Sequence, residues 1–281
     1  MYLQPDTFGI PDGATAIRLS FVSVAIWWAL FSIPVALWVK EPVIYEAVGI
    51  GSAVGLGWKQ LSETLKEIRH LRVVGLFLLA YWLYIDGVDT IVRMAVDYGA
   101  TLKFPDSALI TALLMVQFIA FPCALLFSLF AKKIGAKQAV MVGIFGYIII
   151  TFLGYFMSQV WHFYALAALV GLFQGGIQAL SRSLYTRIIP TEKAAEFFGF
   201  YNMLGKFAAI IGPALMGVVG LTVRNMLMPD SPSAEQIKAV SQEASRWSIA
   251  SIVILFVIGA VLLFYVDEEK GRAEAEYLFK N

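Results

Sequence analysis

Val73-Val-Gly-Leu-Phe-Leu-Leu-Ala-Tyr-Trp-Leu-Tyr-Ile-Asp-Gly-Val-Asp-Thr-Ile-Val-Arg-Met-Ala-Val96 is the stretch that decides the fold. It exceeds the roughly 20 residues that a helix rising 1.5 Å per residue needs to cross a hydrocarbon layer about 30 Å thick. Yet it carries Asp86, Asp89, Thr90 and Arg93, with Asp97 just beyond, at i, i+3, i+4, i+7 and i+11, which puts them on one helical face. A charge at the centre of a bilayer costs roughly 2.5–3.5 kcal/mol on insertion scales, so that face must turn toward other helices or water. The segment is therefore one helix of a bundle in lipid, its polar side facing inward.

Working outward, six more stretches meet the same length: Ile17–Val39, Ala108–Phe130, Gln138–Met157, Phe163–Tyr185, Phe197–Leu221 and Trp247–Val266. All must be helical, because open backbone groups cannot cross lipid unpaired. The expected fold is an all-α membrane protein of about seven transmembrane helices. Composition agrees: 59% of residues are apolar and 15% charged, with a mean hydropathy of +0.76. A net charge of +1 gives no electrostatic ground for a nucleic-acid partner. The one cysteine, Cys123, lies in an apolar run, and His70 and His162 have no partner at ligand spacing, so no metal or cofactor is expected. Met1–Ala16 lacks the basic start and short apolar core of a signal peptide and reads as an exposed lead-in. No hydrolase triad or phosphate loop is present, and an enzyme is not expected.

Lys40, Lys59, Lys66, Arg69, Arg72, Lys132, Lys133, Lys137, Arg182, Arg187, Lys193, Lys270, Arg272 and Lys280 fall on one side of the spans, about 14 against about five on the other. Retention of positive charge in the cytoplasm then places the N-terminus outside and the C-terminus inside, in the inner or plasma membrane if the source is bacterial. The chain divides into a lead-in with the first span (1–39), a cytoplasmic linker (40–72), a six-helix domain (73–266) and a cytoplasmic tail (267–281). In the linker Trp58, Leu61, Leu65 and Ile68 recur at helical spacing, with Lys59, Glu63, Lys66 and Glu67 opposite. This predicts an amphipathic helix lying on lipid or covering the helix ends. On the outer side Pro229, Ser231 and Pro232 break the chain before a short polar helix, Ala234–Ala244, which leads into the last span.

Two further spans carry polar stripes. Gln174, Gln178, Ser181, Arg182 and Tyr185 share one face of the fifth, and Asn202 and Lys206 stand one turn apart on the sixth. Lys206 lies about 14 Å and Asp86 about 20 Å from the cytoplasmic side, so carboxylate and ammonium occupy similar depths. Structural pairing of Asp89 with Arg93, and snorkelling of Arg182 or Lys206, are the plainer alternatives. Gly171-xxx-Gly175 suits close helix packing, and Gly212-Pro213 marks a bend. The first, fourth and seventh spans lack central charges and can face lipid; the second, fifth and sixth enclose the polar interior, with the third, bearing Gln117 and Pro122, a weaker candidate.

The stretches Gly171-Leu-Phe-Gln-Gly-Gly-Ile-Gln-Ala-Leu-Ser-Arg-Ser-Leu-Tyr-Thr-Arg-Ile-Ile-Pro190 and Ala195-Glu-Phe-Phe-Gly-Phe-Tyr-Asn-Met-Leu-Gly-Lys-Phe-Ala-Ala-Ile-Ile-Gly-Pro213 resemble the vacuole-effluxer-like family of the major facilitator superfamily. Its eukaryotic members are associated with amino-acid efflux from vacuoles during autophagy. The resemblance covers essentially the whole chain and implies helices six to twelve of a twelve-helix transporter, with an N-terminal half as partner. It also implies that the second and fifth spans line a central cavity and that the sixth adjoins it. Ser128-Leu-Phe-Ala-Lys-Lys-Ile-Gly-Ala-Lys137 is similar to the superfamily's cytoplasmic loop motif, with Lys133, Gly135 and Lys137 retained and Lys132 where an aspartate is usual. A gating role for Lys133, Gly135, Lys137 and Arg182 follows from that resemblance and from position.

The expected function is secondary active transport of a small solute, an amino acid or related compound, by alternating access between two halves. Asp86, Asp89, Arg93, Gln174, Gln178, Asn202 and Lys206 are the candidate wall for the solute or a coupling proton. The alternatives are a seven-helix receptor or an assembly partner without transport of its own. A retinal protein is excluded because the last span carries no lysine.

Overall fold

Only helices occur among the described residues of the computed structural model, which comprise residues 7, 9–39 and 50–280, the side chains of 50–54 and 278–280 excepted. Lys40, most of the first eight residues of the lead-in and the side chain of Lys280 lie outside them. The chain divides into two units, Met1–Leu56 and Gly57–Asn281. The first holds α1 (Gly13–Trp38), whose start is capped by Asp12: its carboxylate accepts the Thr15 N–H at 2.5 Å. Pro34 sits inside the helix.

The second unit begins within α2 (Ile50–His70) and continues with α3 (Arg72–Thr101), α4 (Asp106–Ile134), α5 (Ala136–Tyr155), α6 (Val160–Ile188), α7 (Ala194–Phe207), α8 (Ile211–Leu227), α9 (Ala234–Ser251), α10 (Val253–Phe264) and α11 (Glu268–Lys280). Seven segments of the chain are long and apolar enough to cross a membrane: α1, α3, α4, α5, α6, α7 with α8, and α9 with α10. These are the seven spans expected from hydropathy. The protein is an all-α, integral, multi-pass membrane protein.

Two of the spans are interrupted. The sixth breaks at residues 208–210, just before Pro213, whose ring and missing N–H forbid a continuous helix through the preceding turn. The seventh is interrupted at Ile252. The polar segment Ala234–Ala244 leads into it, as expected, and forms the first half of α9, opened by a capping box in which Ser233 and Gln236 bond each other's backbone N–H. The helix then runs on to Ser251, and α10 follows after Ile252.

Packing follows small residues. Gly171 and Gly175 lay α6 against α4 so closely that a Cβ would stand 3.0 Å from Val116 O and 2.9 Å from Ala120 O. The end of the bundle that carries α2 and α11 is tied by polar contacts. Glu274 of α11 accepts the Val73 N–H at 3.1 Å, capping α3, which has no side-chain cap from its own N-cap residue. The expected tail is thus a docked helix. Lys137 donates to Phe264 O at 2.8 Å and to Val266 O at 2.5 Å, closing the C-terminus of α10.

α2 meets the start of α7 on a different face from the one its apolar spacing indicates. Thr64 and Ile68 are buried and Leu61 is half-buried, while Trp58 and Leu65 are exposed. Gln60 donates to Glu196 Oε1 at 2.9 Å, Thr64 Oγ1 to Glu196 Oε2 at 3.4 Å, and Glu67 pairs with Lys193. Polar partners on α7 turn the helix so that Thr64, rather than Leu65, faces the bundle.

Candidate functional site

The polar stripes of α3, α6 and α7 converge around a cluster of aromatic rings. Tyr81 of α3 stacks on Tyr201 of α7 at 4.1 Å, and Tyr201 stacks on Tyr185 of α6 at 5.0 Å. Tyr84 shares a 2.6 Å hydrogen bond with Ser181, and Tyr185 O–H donates to Phe197 O at 3.1 Å. Rigid rings, with the Tyr84 and Tyr185 hydroxyls bonded and the Tyr201 hydroxyl buried without a hydrogen-bond partner, set the spacing of the three helices in an apolar medium. These tyrosines, Tyr185 apart, were not singled out by charge spacing, although their four-residue and three-residue intervals from Phe77 through Tyr84 were visible.

On this scaffold the charged groups stand at or near the surface. Asp89 is half-buried; Arg93, Gln178, Arg182, Asn202 and Lys206 are exposed. Asp89 lies within electrostatic reach of Arg93, Asp86 and Lys206, which joins α3 to α7. Arg182 acts in the same way on Tyr81 and Tyr201, which joins α6 to them. Among the described residues none of Asp89, Arg93, Arg182 and Lys206 forms an ion pair within 4.0 Å. Arg93 acts on Asp89 along the same helix, from beyond 4.0 Å.

Two candidates stand apart from this wall. Gln174 lines a cavity of about 310 Å³ between α3, α4, α5, α6 and α9, together with Gln117, Tyr98 and Thr151 and otherwise apolar side chains. Its Oε1 is buried without a hydrogen-bond partner. Asp86 is fully buried, and its oxygens accept the N–H groups of Ile211 at 2.9 Å and Gly212 at 2.7 Å and the Thr90 hydroxyl at 3.1 Å. The loop residues fall elsewhere again. Gly135, at φ 92°, joins α4 to α5, Lys132 and Lys133 are exposed, and Lys137 caps α10.

Among the described residues, charged groups without ion-pair partners thus stand on α3, α6 and α7 of a membrane-spanning bundle. The chain belongs to the vacuole effluxer Atg22-like family, whose model matches residues 3–229. It is 40% identical over 273 residues to the uncharacterized MFS-type transporter YxiO of Bacillus subtilis (strain 168), covering 95% of this chain and 57% of that protein. It is 27% identical over 303 residues to autophagy-related protein 22 of Yarrowia lipolytica, covering 96% of this chain and 48% of that one. With autophagy-related protein 22-1 of Aspergillus niger the figures are 27% over 289 residues, 94% and 44%. The chain thus spans about half the length of these relatives. No solved structure matches it. The family and the relatives' names point to a transporter rather than an enzyme.

Proposed function

We propose that the chain forms the solute-facing wall of a secondary transporter for small zwitterionic solutes, amino acids or close relatives, working by alternating access with a further helical half. The observation that carries this reading is the set of unpaired charges of both signs, Asp89, Arg93 and Lys206, on one face of α3 and α7. Leaving such charges without partners in lipid is costly unless a ligand or water completes them. Arg93 and Lys206 suit a solute carboxylate, and Asp89 suits an amine or a coupling proton. Gln178, Asn202 and Arg182, exposed on the same helices, supply hydrogen bonds along the path. The relatives named as an MFS-type transporter and the family named for effluxers support the class of activity. Charge bias supports a cytoplasmic placement of the α2 end, with the Lys137 and Lys193 contacts on that side.

The test is uptake or counterflow of a panel of labelled amino acids in proteoliposomes containing the full-length protein, with Asp89→Asn and Lys206→Gln made separately. Each should lower transport by on the order of 10- to 100-fold, the worth of one charge-assisted hydrogen bond. Wild-type rates in both variants would remove this wall from the mechanism.

A further inference from the structure

Asp86 and Asp89 share a helical face and one turn of α3, yet they meet opposite surroundings. Among the described residues Asp89 has no ion-pair partner within 4.0 Å, whereas the Asp86 carboxylate is engaged by the start of α8. The N-terminus of a helix leaves its first N–H groups without intrahelical acceptors and carries a partial positive charge. Within a bilayer no water replaces those acceptors. Ile210, the residue before α8, offers no side-chain cap, so α8 would begin in mid-span with its first N–H groups bare. Asp86 supplies from α3 what the local sequence lacks.

The fit is specific. A Cβ on Gly212 would lie 2.0 Å from Thr90 Oγ1 and 2.7 Å from Asp86 Oδ1, so only glycine lets the backbone reach the carboxylate. The two halves of the broken span are also held by different neighbours. α7 is fastened to α3 and α6 through the Tyr81–Tyr201 stack and the Tyr185 hydroxyl on Phe197 O. α8 is fastened to α9, where Ser248 Oγ donates to Met216 O at 2.9 Å. Between them run only residues 208–210, and Asp86 is the polar grip of α3 on α8.

We propose that Asp86 is a positioning residue, a carboxylate clasp that fixes the start of α8 against α3, and not a ligand of the solute. The word positioning rests on the transport reading above; the clasp itself does not. A solute amine would have to displace two backbone N–H groups and the Thr90 hydroxyl to reach these oxygens, while Asp89, one turn away, is open to it.

The experiment is hydrogen–deuterium exchange by mass spectrometry on the full-length protein in lipid nanodiscs, read on peptides covering residues 208–216. Asp86→Asn and Gly212→Ala should each raise exchange there by on the order of 10- to 100-fold, as expected for loss of charge-assisted bonds. The double variant should exceed neither by more than about threefold, because both break one clasp. Thr90→Val, which keeps the carboxylate, should give a smaller rise of about fivefold, and serves if Asp86→Asn does not fold. Asp89→Asn should leave these peptides unchanged. Unaltered exchange in Asp86→Asn, or in Thr90→Val where that variant stands in for it, overturns the proposal, as does an equal rise in Asp89→Asn. In transport, Asp86→Asn and Gly212→Ala should change turnover together with KM within about threefold of the parent. A large rise in KM for Asp86→Asn alone would make Asp86 a ligand instead. Failure of the transport reading would show as wild-type uptake in Asp89→Asn and Lys206→Gln, and would leave the exchange result standing.

Discussion

Charges at the α2 end of the bundle and charges on the α3–α7 wall obey different rules. At the α2 end several charged groups have structural partners: Lys193 with Glu67, Arg187 with Glu268 at 3.4 Å, Lys137 on the last carbonyls of α10, Glu274 on the Val73 N–H of α3. On the wall, among the described residues, Asp89, Arg93, Arg182 and Lys206 have no ion-pair partner within 4.0 Å. Electrostatic cost alone would arrange the reverse, with pairing strictest where the dielectric is lowest. The end charges fasten helices, whereas the wall charges, under the function proposed above, stay open to a solute. Asp86 is the exception that sharpens the contrast, a charge at membrane depth that has been given a fastening partner.

The comparison breaks first at the wall. If its charges are complementary to a solute, exchanging their positions in Asp89→Lys with Lys206→Asp should still abolish transport, by about 100-fold or more, because net charge is kept but geometry is not. Recovery of near-wild-type uptake in the exchanged variant would show that the two only balance each other. Thermal stability in detergent should change little in the single variants Asp89→Asn and Lys206→Gln, since neither charge holds a helix. The α2 end should respond the other way. Lys137→Ala removes two donors to the C-terminus of α10 and should lower stability by about 1–2 kcal/mol, with transport per folded molecule reduced far less. A Lys137 variant of wild-type stability with no transport would move Lys137 from the fastenings to the gate.

Hydropathy made the seven spans legible, because length and apolarity are properties of a segment by itself. The polar stripe of α3 was legible for the same reason. What each member of the stripe does was not. Asp86 and Asp89 differ only through α8, 125 residues away in sequence, whose first N–H groups are bare because Pro213 breaks the span. Helical spacing sorts residues onto faces but cannot say which face meets a helix terminus. The turn of α2 was missed likewise: Leu65 outranks Thr64 in hydropathy, but Glu196 and Lys193 select the face. Gly171-xxx-Gly175 was read correctly as packing, since its partner needs only a smooth helix.

The smallest effect belongs to the ion pair between Lys193 and Glu67, whose side chains are 33% and 23% exposed. Water screens such a pair, so its loss in Glu67→Gln should cost under about 1 kcal/mol. Its signature is in pH. The hydrogen bond to Glu67 raises Lys193 above its ordinary 10.5, partly opposed by desolvation and aided by the charges of Glu67, Glu196 and Glu63. A base whose folded value is raised stabilises fully below its unfolded value and loses that contribution as pH rises through the folded one. Docking of α2 on α7 should therefore be constant up to about pH 10 and weaken above 10.5. A spin-label pair on the exposed positions Trp58 and Gly199 reads this directly, and Glu67→Gln should flatten the alkaline change. An unchanged alkaline transition in that variant would assign α2 docking to Gln60, Thr64 and Glu196 alone, and would remove Lys193 from the fastenings.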